Sequence, residues 1–181
     1  MPRARPGFPA APEAVVATAH PPPVPHVDDF DQSHPDALAV YCSDGRFTEA
    51  VEGLLRGLGH PRLDTMTLPG GAALFEVRRS DFMGLETVRS AATFLVRGHA
   101  IKHVVLLAHE GCGYYRARSA GGDPERMREA QWADLRAAAR WFRDAHPTVE
   151  VRLFYARIAT PEHGQGRRIA FDRVDELGGH W

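Results

Sequence analysis

The chain's only two cysteines lie in Cys42-Ser43-Asp44-Gly45-Arg46 and His109-Glu110-Gly111-Cys112-Gly113, each beside other ligand-type side chains at the end of an apolar run. Two thiolates and one imidazole suit a zinc ion with one coordination position left open, as in a catalytic rather than a closed structural site. His109 and Cys112 are three apart, so both can reach one ion across a turn, with Gly111 and Gly113 letting the backbone come close. In an extended segment alternate side chains point the same way, so Cys42, Asp44 and Arg46 face one pocket provided the chain stays roughly extended past the strand end. Asp44 and Arg46 can then form a charge-assisted pair that orients the carboxylate and keeps it ionised. Such a carboxylate either accepts a proton from bound water or ligates the metal itself. Glu110 gains no ligand role from its spacing and reads as a solvated or supporting group. Singly, a cysteine or histidine at a strand end is more often a packing or hydrogen-bonded residue; the joint pattern points to a metal site.

The elements around these residues supply a way to bring them together. Ala37 to Tyr41 is a short apolar run bounded by Pro35-Asp36 and Ser43-Asp44-Gly45, as expected of a buried strand. Phe47, Val51, Leu54, Leu55 and Leu58 follow helical spacing. Leu63 to Leu68 reads as a second strand ending at Pro69-Gly70-Gly71, where a tight turn is the commoner reading and an anion-binding nest the alternative. A short helix can follow, and Leu85, Val88, Ala92, Leu95 and Val96 mark an amphipathic one. Val104 to Ala108 is the clearest strand and leads straight into His109. Asp123 and Pro124 start a helix carrying Leu135, Ala138, Ala139 and Phe142. Val149 to Ile158 and Arg168 to Val174 read as two strands joined through Pro161 to Gly166 as a hairpin. Alternating strands and helices predict an α/β fold, a mainly parallel sheet flanked by helices with a C-terminal strand pair. Ligands in such sheets bind beyond the carboxyl ends of strands at a topological switch point. Both motifs begin where strands end, so neighbouring strands would bring Cys42 to His109 and Cys112.

Residues 1–33 hold eight of the 14 prolines and little apolar periodicity, and read as a flexible arm before a zinc domain over 34–181. His20, His26 and His34, in or near that arm, read as surface histidines. A net charge of -1 gives no electrostatic case for nucleic acid or an anionic membrane. The cationic side chains are arginines apart from Lys102, a compositional bias that makes any one arginine weak evidence of function. No run reaches the roughly 18 apolar residues of a membrane span, and Ala14 to Ala19 is short for a signal-peptide core. The expected setting is the cytoplasm, where two cysteines stay reduced. A Cys42–Cys112 disulfide is the competing explanation of the pair.

Cys42-x-Asp44-x-Arg46 after the first strand and His109-x-x-Cys112 after the third resemble the signature of the β-carbonic anhydrases. The approach Ile101-Lys102-His103-Val104-Val105 and the closing strand pair are also similar, and the likeness spans about residues 35 to 175. The resemblance implies a carbonate dehydratase-like zinc lyase: Zn2+ held by Cys42, His109 and Cys112, with Asp44 and Arg46 as the catalytic pair. Its reaction would be reversible hydration of carbon dioxide to bicarbonate by a zinc-bound hydroxide. It further implies a homodimer or higher homo-oligomer, with Asp44 ligating zinc in a closed state of some members. Two stretches depart from the family pattern. Leu68-Pro69-Gly70-Gly71-Ala72-Ala73 stands where members carry an Arg-Asn-Ala-Gly-Asn-like segment, and Tyr114-Tyr115 stands where they carry small residues. These departures raise two alternatives: a zinc hydrolase acting on another small electrophile such as carbonyl sulfide or carbon disulfide, or a non-catalytic zinc-binding protein.

Overall fold

Ala37–Cys42 forms strand β1, every residue of it buried, because its apolar side chains alternate between two covered faces. The remaining elements of this computed structural model are α1 (Thr48–Gly57), β2 (Asp64–Leu68), a 3-10 helix (Gly71–Phe75), α2 (Phe82–Gly98), β3 (His103–His109), α3 (Gly113–Arg118), α4 (Pro124–Ala145), β4 (Glu150–Ala159) and β5 (Arg168–Arg173). The structure describes residues 29–118, 122–160 and 166–174. The chain divides into two units, Met1–Gln32 and Ser33–Trp181, and all these elements belong to the second. The expected arm up to residue 28, with His20 and His26, lies outside the described residues, as does the expected turn over 161–165. His34 is described, and its ring stacks on that of His99 at 4.2 Å.

The five strands run in the order β2-β1-β3-β4-β5. β1 pairs in parallel with β2 and β3, and β3 in parallel with β4. β5 returns antiparallel along β4, with Ala159 opposite Arg168. The α/β class, the parallel centre and the C-terminal strand pair are thus as the sequence predicts. Leu38, Val40, Val104, Leu106 and Leu153 turn to one face, where α2 and α4 cover them through Val88, Ala92, Leu135, Ala138 and Phe142. Ala39, Tyr41, Val105, Leu107 and Phe154 turn to the other, under Phe47, Val51 and Leu55 at and after the start of α1. Asp123 caps α4 as expected, accepting from the Glu125 N–H at 3.0 Å with Pro124 in the first turn.

The order places a topological switch at β1. The chain leaves β1 towards β2 on one side and later returns to β3 on the other, so the crevice beyond their carboxyl ends is the expected ligand site. Cys42 is the last residue of β1 and His109 the last of β3.

Candidate metal centre

The sulfurs of Cys42 and Cys112 lie 3.7 Å apart as free thiols, which sets aside the disulfide alternative in this structure. With a ring nitrogen of His109 they form a group whose ligand atoms all lie within 4.8 Å of one another, and all three residues are buried. Strand pairing delivers Cys42 and His109. A turn through Glu110 and Gly111 then brings Cys112 back over the sheet, with Gly111 at φ 69°, a conformation that only glycine adopts without strain.

His109 is fixed on three sides. The Phe47 ring packs against it at 4.2 Å, and its own carbonyl accepts from Gln131 Nε2 at 2.8 Å. Its Nδ1 lies 2.9 Å from the Glu110 carbonyl, which can only accept, so Nδ1 donates there and Nε2 is the nitrogen left for a ligand. That Nε2 is buried with no hydrogen-bond partner, a costly condition that a bound cation relieves. Hydrogen-bonding one imidazole nitrogen to orient the other is how metal-ligating histidines are ordinarily held.

The two thiols differ in acidity. The hydrogen bond with Cys112 draws the Cys42 thiol well below its usual range, against the opposing effect of burial. That same bond and burial push Cys112 up. Backbone N–H groups of Gly70 and Asp44 favour thiolate at Cys42, and those of Tyr115 and Tyr114 at Cys112. A divalent cation held by both sulfurs would displace their protons.

Asp44 and Arg46 pair as expected, but not along an extended strand. The chain turns at once, with the Phe47 N–H bonded to the Asp44 carbonyl at 3.1 Å. Arg46 Nε and Nη2 grip the two carboxylate oxygens at 2.9 and 2.5 Å, and the Arg46 N–H adds a third bond at 3.2 Å. This grip holds the Asp44 carboxyl at about 2, well below the usual carboxylate range. Asp44 is 20% exposed at its side chain and Arg46 71%, so the pair forms the outer lip of the centre.

The stretches around Gly70 and Tyr114 pack together behind the sulfurs. Gly71 lies against the end of β1, where an added Cβ would stand 2.9 Å from the Tyr41 carbonyl carbon and 3.0 Å from the Cys42 nitrogen, with φ at 55°. The Gly-Gly pair is therefore a tight turn feeding the 3-10 helix. Gly71→Ala is expected to cost on the order of 2–4 kcal/mol, because backbone atoms cannot yield to the new methyl and the φ is strained. A lowered denaturant midpoint with an unchanged slope checks it. Tyr115 is buried with Cys42, Ala73, Cys112 and Met127. Tyr114 lays its ring over Gly70, 2.5 Å from where a Cβ would be, and its hydroxyl donates to the Arg79 carbonyl at 3.2 Å. Tyr115 is thus core, and Tyr114 closes over the turn.

Two polar partners had escaped the motif reading. Gln131 and Asp134 are each 2% exposed and occupy the same helical stripe as Leu135 and Ala138; polar side chains at stripe positions were the available signal. Glu110 is a supporting group, its Oε2 accepting from the Ile158 N–H at 2.7 Å and stitching the end of β3 to β4.

No family model matches the sequence, and no curated protein is similar to it in sequence. Solved structures are similar in fold. A β-carbonic anhydrase of the protozoan Trichomonas vaginalis superposes with a TM-score of 0.51 at 12% identity, over 83% of this chain and 88% of that one. A tetrameric β-carbonic anhydrase of Sordaria macrospora gives 0.47 at 15% identity, covering 69% and 77%. One from Aspergillus fumigatus gives 0.41 at 21% identity, covering 69% and 72%. The chain thus has the β-carbonic anhydrase fold, with Cys42 and His109 at the ends of the neighbouring strands β1 and β3.

Proposed function

We propose that this protein is a zinc-dependent lyase that hydrates carbon dioxide reversibly to bicarbonate, with Cys42, His109 and Cys112 as the metal ligands. The observation that carries the reading is the buried, unpartnered Nε2 of His109 beside the two sulfurs. The sulfur separation of 3.7 Å supports it further: two bonds of about 2.3 Å at a tetrahedral angle span about 3.8 Å. Zinc bound there would supply Lewis acidity that makes water a competent nucleophile near neutral pH.

The chain's own residues supply the rest. Asp44, ionised throughout the neutral range and aimed by Arg46, accepts a hydrogen bond from the nucleophilic water and orients it. Phe47 and the Glu110 carbonyl keep the His109 ring from turning. A void of about 10 Å³, about the space of one water, lies beside His109 among Cys42, Phe47, Val51, Leu107 and Ala156. Its mostly apolar walls suit an uncharged substrate better than a charged one.

One observation favours a second reading. The turn at Gly70 and Gly71 is closed by Tyr114 and presents no polar side chain, which suits carbonyl sulfide or carbon disulfide as much as carbon dioxide. Stopped-flow hydration of carbon dioxide from pH 7 to 9 decides between them. A zinc-dependent rate above buffer is expected at pH 8.5; none, alongside hydrolysis of either sulfur analogue, overturns the first reading and supports the second.

We further propose the cytoplasm as the setting, where both thiols stay reduced. Among the described residues no helix is long and apolar enough to cross a membrane. Self-association into a homodimer or larger assembly is also proposed, supported by Phe82, Met83 and Phe94 exposed along α2.

A further inference from the structure

Behind Cys112 lies a polar network that the proposed chemistry does not use. Asp134 projects from α4 at 2% exposure, among Met127, Leu135 and Ala138. Its Oδ2 accepts from the Tyr115 hydroxyl at 2.8 Å and from Arg79 Nε at 3.0 Å. The Arg79 guanidinium also lies 5.6 Å from the Tyr115 ring centre, and the Arg79 carbonyl accepts from Tyr114. Buried charge pairs of this kind are poor stabilisers, since apolar side chains of similar volume do as well or better. What the network fixes is position.

Tyr114 and Tyr115 are the second and third residues of α3, and the first turn of that helix is pinned to the Cys112 carbonyl by the Arg116 N–H at 3.0 Å. Tyr115 is buried against Cys42 and Cys112, and Gly70, beneath the Tyr114 ring, leads into Gly71, which lies against the Cys42 backbone. Holding Tyr115 through Asp134 therefore fixes the turn that presents one sulfur. Holding Arg79 fixes the segment after Gly70, which presents the other. Both arms meet in the tyrosine pair.

We propose that Tyr115, Asp134 and Arg79, together with Tyr114, are positioning residues that hold the Cys42 and Cys112 sulfurs at metal-binding separation. The inference rests on the metal-centre reading given above. Supporting groups around metal ligands typically alter affinity by about 10–100-fold when removed, and the network should act in that range.

The test uses the full-length protein, comparing wild type with Tyr115→Phe, Asp134→Asn and the apolar triple variant Arg79→Met/Tyr115→Phe/Asp134→Leu. Zinc affinity is read by competition with a chromogenic chelator, and site geometry by the thiolate-to-metal charge-transfer bands of the cobalt(II) form. Tyr115→Phe and Asp134→Asn are expected to weaken zinc binding about 10–100-fold and to change the cobalt bands. The triple variant should keep the metal-free melting temperature near wild type while its affinity stays low, which a purely structural role does not produce. Affinities within about threefold of wild type and unchanged cobalt bands would overturn the proposal, whatever the melting temperatures. Should Asp134→Asn fail to fold, Tyr115→Phe, which keeps the ring, carries the test. A wild type that binds no zinc removes the metal-centre reading itself; a wild type that binds it no better than the variants removes only the positioning role.

Discussion

Cys112→Ser is expected to reduce zinc from about one ion per chain to near zero and to bring carbon dioxide hydration down to the buffer background. Serine is close to cysteine in size, and Cys112 is 2% exposed in a packed cluster, so the fold should survive, as an unchanged circular dichroism spectrum would show. The donor is what changes. A serine hydroxyl stays protonated at neutral pH and is a poor ligand where the metal prefers thiolate and imidazole. Metal analysis of the purified variant measures this directly, and zinc retained at one per chain would remove Cys112 from the ligand set.

Asp44→Asn is expected to lower the hydration rate by about 10²–10⁴-fold while zinc content stays at the wild-type level. Asparagine keeps the shape and one acceptor for Arg46 but cannot accept a proton or carry the charge that orients the nucleophile. Because Arg46 holds the Asp44 carboxyl at about 2, the residue is ionised at every pH of the assay. The loss should therefore be uniform from pH 6 to 9, with the shape of the rate profile unchanged. The sign of the accompanying stability effect follows from the same depression. The pair contributes fully above the ordinary carboxylate value of 3.8 and is lost as pH falls through about 2. Asp44→Asn should lower stability slightly at neutral pH and flatten the acid limb by the same small amount, since the Arg46 side of the pair is solvated. A rate that fell only with loss of zinc would assign Asp44 to the ligand set instead.

Much of this architecture was legible in the sequence because its signals are local. Val104 to Ala108 is apolar without interruption and could only be a strand covered on both faces, which it is. The step from Asp123-Pro124 into a helix followed from capping chemistry alone. The juxtaposition of Cys42 with His109 was legible only conditionally, since it needed β1 beside β3, and strand order is a tertiary property. The placing of Asp44 and Arg46 by alternation held only on condition that the chain stayed extended, and β1 ends at Cys42. Tyr114 and Tyr115 could be placed neither in the pocket nor in the core from sequence, because their neighbours Gly70, Arg79 and Asp134 lie 19 to 45 positions away. Such contacts leave no periodic trace. Only Asp134 left one, as a carboxylate set within an apolar stripe.

The position of Cys42 and Cys112 on the two sides of the switch has a consequence for how the chain folds. A metal ion held by both sulfurs is a clip between residues 70 apart. Closing a loop of that size in an unfolded chain costs about 4 kcal/mol of entropy, so the disordered polypeptide offers only the His109–Cys112 half-site. The full set of ligands exists only after β1 has found β3. Capture of a metal ion by this group would then come late in folding and favour the chains whose central strand pair is in register.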